Sequence, residues 1–384
     1  MPKSRKLQFV PLTQDLVPAC GEFNERLGRA GAALSGFTCL VNRDRGMHPP
    51  APMEVERYVG VDVDGQVRGA YSLRWQFLWL HGEQLLGAHY GYPISEGIID
   101  KQYAMVGVLV LLDAVKRCEY LYLLGAGGRT GNVFRVAEHV GFAIEDVPFL
   151  FRVINGGRFL RNLPQMQRGL ERRVLATIGS ATGLAQIATG ILHGASAIRH
   201  CGSSSLRPTS SVTVEEVATL AAPADEVWSR VRSQYALCVV RDGAHVEPSF
   251  PLDRTDLHRL VVRHQGSIVG WSVVMRQGLS RLQAYLGDVT PGLIVDAFGD
   301  TVYANEIVRA ATAYLADQAV DVVITNTCHA GWVSGYKRAG FIAWDSQFPL
   351  IVSHSLARRI GDLRAIMPRS HMSRADADGV HYLH

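Results

Sequence analysis

Arg57-Tyr-Val-Gly-Val-Asp-Val-Asp-Gly-Gln-Val-Arg-Gly69 and His258-Arg-Leu-Val-Val-Arg-His-Gln-Gly-Ser-Ile-Val-Gly270 decide the fold, because they are one pattern written twice. In each, alternating β-branched residues flank a dipeptide suited to positive φ, Asp64-Gly65 or Gln265-Gly266, which predicts a strand, a tight turn and a second strand. The offset from Gly65 to Gly266 is 201 residues. Further along, Gly97-Ile-Ile-Asp100 is echoed by Leu293-Ile-Val-Asp296 at an offset of 196. An apolar stretch of helical period follows each, Val106 to Val115 and Val302 to Leu315. Next come short apolar runs, Tyr120 to Leu124 and Val320 to Thr325, of the kind expected of strands buried on both faces. Each half continues with a glycine-containing loop, a helix and the dipeptide Gly-Phe, at Gly141-Phe142 and Gly340-Phe341, an offset of 199. A helix stops at such a glycine because a left-handed residue is tolerated best without a Cβ. Extended segments close both halves, Val147-Pro-Phe-Leu-Phe-Arg-Val153 and Gln347-Phe-Pro-Leu-Ile-Val352.

Offsets this similar, with the elements in one order, predict an α/β protein of two tandem domains, each a mixed, mostly antiparallel sheet flanked by helices. The boundaries read as 1–155 for the first domain, 156–212 for a helical connector and linker, 213–356 for the second domain and 357–384 for a tail, polar and loose beyond Met367. A chain of 384 residues has room for this at about 150 residues per domain. Within the connector, Val174 to Ile198 carries no Asp, Glu, Lys or Arg and lies between Arg173 and Arg199. It is only weakly apolar, so a buried or partner-packed helix is the first reading and peripheral membrane contact through 174–198 the alternative.

Composition is that of a globular protein, 47% hydrophobic and 19% charged with mean hydropathy +0.06. A net charge of +4 on 39 basic and 35 acidic residues gives no argument for DNA. The six cysteines form no CxxC pair, which fits neither a disulfide framework nor a structural zinc site and makes a reducing cytoplasm the expected compartment. No apolar run with a cleavage site follows the basic N-terminus, so secretion is not expected. Nucleophile elbows and metal-ligand spacings are missing from the sequence, so hydrolase and metal chemistry are not expected.

Hairpin, strand, helix, strand, helix ending in Gly-Phe and closing strand: this order resembles the GNAT (acyl-CoA N-acyltransferase) superfamily, over about three quarters of the chain. The resemblance implies a sheet whose fourth and fifth strands splay apart to admit the pantetheine of acetyl-CoA or another acyl-CoA. It also implies a loop of the form Gln/Arg-x-x-Gly-x-Gly/Ala that cradles the pyrophosphate. Such a loop works because a helix N-terminus offers free N–H groups and the positive end of its dipole. In the first half the matching run is Gln102-Tyr-Ala-Met-Val-Gly107, with Met105 where the first glycine belongs. In the second half the aligned run is Phe298-Gly-Asp-Thr-Val-Tyr303, which keeps neither glycine and places Asp300 near the phosphates, so that half is expected to bind no CoA. The cofactor-binding set implied for the first half is Ile98, Ile99, Gln102, Met105, Val106, Gly107 and Val108. Asn132 joins it, or else caps the helix that follows it.

Acyl transfer to an amine needs a base, a proton donor for the leaving sulfur and N–H groups for the oxyanion. Glu96 would lie beside the splayed strands as the base, or else be a carboxylate held by loop N–H groups. His89, on the same strand, is a second candidate base, on Glu96's side only if no bulge intervenes, or else a satisfied structural histidine. The GNAT pattern places a tyrosine four residues before the Gly-Phe glycine as the acid. Tyr336 matches in the second half, whereas the first half has Ala137 there and His139 as the available substitute. The expected activity is therefore acyl-CoA dependent N-acyltransfer, as an N-acetyltransferase, to a small-molecule amine. An amino sugar is suggested by a general likeness to GNAT proteins of polysaccharide biosynthesis. The alternatives are a non-catalytic tandem scaffold, or a Fem-type transferase drawing on aminoacyl-tRNA, for which the Arg158–Arg173 helix is the candidate basic element. Oligomeric state is not legible.

Overall fold

The structure is a computed structural model that describes residues 7–32, 36–44, 48–125, 128–129, 131–159, 161, 211–276, 289–344 and 348–377. The segment 174–198 and most of the expected connector lie outside the described residues. The chain opens with β1 (Gln8–Pro11) and α1 (Val17–Arg29), followed by β2 (Val55–Val61), β3 (Val67–Leu80) and β4 (Glu83–Ser95). Then come α2 (Val106–Arg117), β5 (Leu121–Leu124), α3 (Asn132–Val140), β6 (Ala143–Asp146) and β7 (Phe149–Val153). The second half runs β8 (Val212–Glu216), α4 (Ala221–Val231), β9 (Leu237–Val239), α5 (Gly243–Ser249), β10 (Leu257–His264), β11 (Ser267–Arg276) and β12 (Pro291–Gly299). It ends with α6 (Ala304–Asp317), β13 (Val322–Asn326), α7 (Ala330–Arg338), β14 (Ile342–Trp344), β15 (Pro349–Val352), α8 (His354–Ile360), α9 (Leu363–Ile366) and β16 (Ser370–His371).

Both predicted hairpins form, β2–β3 and β10–β11. Gln265 and Gly266 both have positive φ, the geometry that lets a two-residue turn follow the twist of its strands. Gly141 and Gly340, at φ of 86° and 83°, follow α3 and α7 as the Gly-Phe pairs predict. The two sheets are mixed and flanked by helices, as expected.

The closing strands depart from a simple tandem. The first sheet runs β1-β2-β3-β4-β5-β15-β6 and the second β14-β7-β13-β12-β11-β10-β8, so β7 and β15 have exchanged places. The physical reason is visible at β6–β7. Only Val147 and Pro148 separate these strands, and neither has the positive φ with which a two-residue connection folds back. The chain therefore continues onto the neighbouring sheet, with Phe149, Leu150 and Phe151 buried in the second core. Leu350, Ile351 and Val352 are buried in the first half in return.

Three further expectations are corrected. First, the register of the repeat near the phosphate-side turn is 200 residues, not 196. Asp100 and Asp300 are the equivalent caps, accepting from Gln102 N at 2.9 Å and Val302 N at 3.1 Å. Asp296 is instead a residue of β12. Second, residues 370–377 are not loose. Ser370, His371, Ser373, Arg374 and Asp376 are all buried, and β16 pairs with β9. A capping box between Ser373 and Asp376 closes the backbone there. Third, Cys20 and Cys39 are joined in a disulfide, Cα–Cα 6.2 Å, fastening α1 to the loop before β2. Their sequence spacing carries no signal for that pairing. Among the described residues no helix is long and apolar enough to cross a membrane.

Candidate active site

Strands β4 and β5 are parallel and pair only at Ala88–Leu121 and His89–Tyr122. Beyond that point β4 continues to Ser95 with β3 on one side and, among the described residues, no strand on the other, while β5 turns its far edge to β15. A bulge marks the opening, where the β3–β4 register shifts between Ala70 and Ser72 and Tyr92 takes a φ of 49°. Bulges of this kind re-aim strands beside functional sites. The unpaired edge of β4 leads to the N-terminus of α2, where the turn Lys101–Tyr103 delivers Met105, Val106, Gly107 and Val108.

Around this slot the sequence-predicted residues fall as follows. Met105 is 65% exposed and does not fill the opening, Gln102 is exposed, and Ile98 lies partly open on the preceding turn. Ile99, Gly107 and Val108 are half-buried, and Val106 is buried against the core. A Cβ on Gly107 would meet only Ser95 Oγ, at 3.4 Å, so packing within the chain does not require the glycine. Open space over a helix N-terminus is what an approaching phosphate needs. The equivalent second-half run is Val302-Tyr-Ala-Asn-Glu-Ile307, which lacks both glycines and places Glu306 in the first turn of α6. Asn132 is the first residue of α3 and does not cap it. That position belongs to Gly131, and Asn132 is exposed at the head of the helix.

The proposed acid and base are placed differently from the expectation. Glu96 is only 4% exposed, and its carboxylate meets Arg26 Nε at 2.9 Å and Arg68 at 2.7 Å. Arg68 also bonds Asp62 at 2.8 Å. Both Glu96 oxygens face guanidinium groups, so the side chain ties α1, β3 and the turn after β4 together instead of standing open to a substrate. His139 is exposed at the end of α3, with Nδ1 donating to the Arg135 carbonyl at 2.7 Å, a helix-terminal contact. Tyr336 is 2% exposed and stacks edge-on against Phe341 at 5.0 Å in the second core, where burial pushes its phenol above the ordinary range. The slot, Glu96 and the Met105–Val108 turn are thus brought together, while Tyr336 belongs to the other half.

Sequence reading singled out His89 but missed the rest of the polar face behind the slot. Arg74 and Gln76 on β3, His89 on β4 and Tyr122 on β5 are all buried. Arg74 donates to the Asp376 carbonyl at 2.9 Å and also to that of Ala377, and the Tyr122 hydroxyl reaches the Asp376 carbonyl at 3.0 Å and Gln76 Oε1. Arg241, just after β9, which pairs with β3, bridges Asp376 at 2.6 Å and Asp296 of the second sheet at 2.8 Å, and His371 lies 3.1 Å from Asp296. Residues 370–377 therefore join the two sheets. Only the alternation of β3, which carries polar Arg74 and Gln76 two apart in an apolar run, could have signalled this face.

No protein-family model matches the sequence, and no curated protein matches it. Solved structures do. A protein of unknown function from Enterococcus faecalis, described as a probable N-acyltransferase, superposes with a TM-score of 0.52 at 9% identity, covering 91% of this chain and 73% of that one. A GCN5-related N-acetyltransferase from Anabaena variabilis gives 0.51 at 9% identity, covering 90% and 72%. The fold, two mixed sheets flanked by helices, is like that of these two structures.

Proposed function

We propose that this protein is an acyl-CoA dependent N-acyltransferase whose first half holds the thioester, with acetyl-CoA the first donor to test and a small-molecule amine, an amino sugar among the candidates, as acceptor. The observation that carries this reading is the parting of β4 from β5 beyond His89–Tyr122, with the N-terminus of α2 at the far end. The N–H groups of Val106, Gly107 and Val108 would hold the diphosphate. The unpaired β4 edge would take the amides of the pantetheine arm as an added strand, a general mode of backbone recognition. The amine then attacks the thioester carbonyl, the carbon–sulfur bond breaks, and the amine proton passes to a base.

Isothermal titration with acetyl-CoA and longer acyl-CoAs tests the reading, followed by turnover on a panel of amines that includes amino sugars. Binding of at least one acyl-CoA is expected, and no heat from any of them in folded protein would retire the proposal. Gly107→Glu places a carboxylate where the diphosphate would lie. It should keep the fold, since the space is open, and weaken acyl-CoA binding at least about 10-fold, a change of about 1.4 kcal/mol.

A further inference from the structure

Resting on the proposed acyl transfer, we infer that His89, not Glu96, takes the proton from the acceptor amine, as the general base at the point where β4 and β5 part. His89 is the last residue of β4 paired to β5. Six residues separate it from Ser95 at the far end of the opening, about 20 Å of strand at about 3.3 Å per residue. An extended pantetheine arm anchored at the α2 N-terminus and laid along that edge runs back toward His89.

Alternation along β4 sends Ala88 and Tyr90 into the core beneath α2, where both are packed. His89 points to the other face, where Arg74 is its cross-strand neighbour and Tyr122 stacks edge-on at 5.4 Å. This is the face that residues 370–377 and the second sheet cover. The ring is 3% exposed, yet among the described residues neither nitrogen makes a hydrogen bond. Glu96, by contrast, has both oxygens against arginines.

The charged and titratable groups at the ring are Arg74 from β3 and Tyr122 from β5, and behind Tyr122 lie Arg241 after β9 and Asp376 from the C-terminal segment. Burial, and after it the Arg74 guanidinium, hold the imidazole well below its ordinary value, so it is neutral and able to accept a proton. In the step, the amine nitrogen forms a bond to the acyl carbon and gives a proton to a ring nitrogen of His89. The thioester carbon–sulfur bond breaks, and the thiolate takes up the proton held by His89, which restores the neutral ring.

The test compares wild-type protein with His89→Gln and His89→Asn, measuring acyl-CoA binding by titration and kcat/KM across pH with two acceptors of different amine pKa. Retained acyl-CoA affinity shows that a variant is folded. The inference expects kcat to fall about 10²–10⁴-fold in both variants. It also expects the wild-type acid limb, below pH 6.5, to stay fixed when the acceptor changes and to vanish in the variants. Wild-type turnover in a variant that still binds acyl-CoA would overturn His89 as base, and so would a limb that moves with the acceptor alone. Absence of acyl-CoA binding in the wild type would instead sink the transferase reading, and this inference with it. Should both variants lose acyl-CoA binding, the wild-type limb decides by itself.

Discussion

Replacing Glu96 by glutamine would leave Arg68, only 7% exposed, with a single carboxylate partner and would remove the ionic partner of Arg26. Removing one member of a buried ion pair costs about 3–5 kcal/mol, so the Glu96→Gln midpoint in urea should shift strongly downward. If Glu96 were the base, the same change would lower kcat while leaving stability nearly intact. Acid sensitivity follows from two other carboxyls. Burial acts to raise Asp62, but Arg68 and the N–H groups of Gln66 and Asp64 outweigh it, and Arg241 and His371 do the same for Asp296. Both groups are held below the ordinary value of about 3.9. A carboxyl with a depressed folded pKa contributes fully above the unfolded value and loses that contribution as pH falls through the folded one. Stability measured by urea unfolding should therefore fall below about pH 4 on account of these carboxyls, after a decline that begins near pH 6.5, where His89 and His329 stay neutral in the fold but are protonated in the unfolded chain. Asp296→Asn should flatten that fall.

At the scale of elements, the helix and strand periods are local properties and were legible. Both hairpins, the helices ending at Gly141 and Gly340 and the buried runs of β5 and β13 appear where the pattern predicts. The register of the phosphate-side turn was not. The first half carries an additional turn, Glu96–Ile98, between β4 and Asp100, and the similarity of Gly97-Ile-Ile-Asp100 to Leu293-Ile-Val-Asp296 hid it. The disulfide of α1 is likewise invisible in spacing, because pairing depends on where α1 packs. It closes a loop of 19 residues, and its removal by Cys20→Ser or by reductant should cost about 3 kcal/mol. Thermal melts with and without reductant measure this, and an unchanged midpoint would mean that α1 needs no tether.

For the whole molecule the exchange of β7 and β15 matters most. In the first sheet β15 lies between β5 and β6, and in the second β7 lies between β13 and β14, so neither half holds a complete sheet of its own. Arg74 and Tyr122 add buried contacts to Asp376 that also cross between the halves. Fragments 1–155 and 211–384, expressed separately, should each fail to unfold cooperatively, and the intact chain should show one transition by calorimetry and circular dichroism alike. Two well-resolved transitions, or folded fragments, would contradict this.

Taken alone, the sequence determined the duplication, the order of elements in each half and the first-half turn suited to a diphosphate, because hydrophobic period, turn residues and helix-stopping glycines act over a few neighbours. Only the tertiary structure decided which sheet each closing strand joins, that Glu96 is bound by arginines, that His89 stands at the strand opening and that the C-terminal segment is buried between the sheets. Those facts depend on partners up to about three hundred residues apart, as Arg74 and Asp376 are, and no local pattern encodes which distant group will arrive.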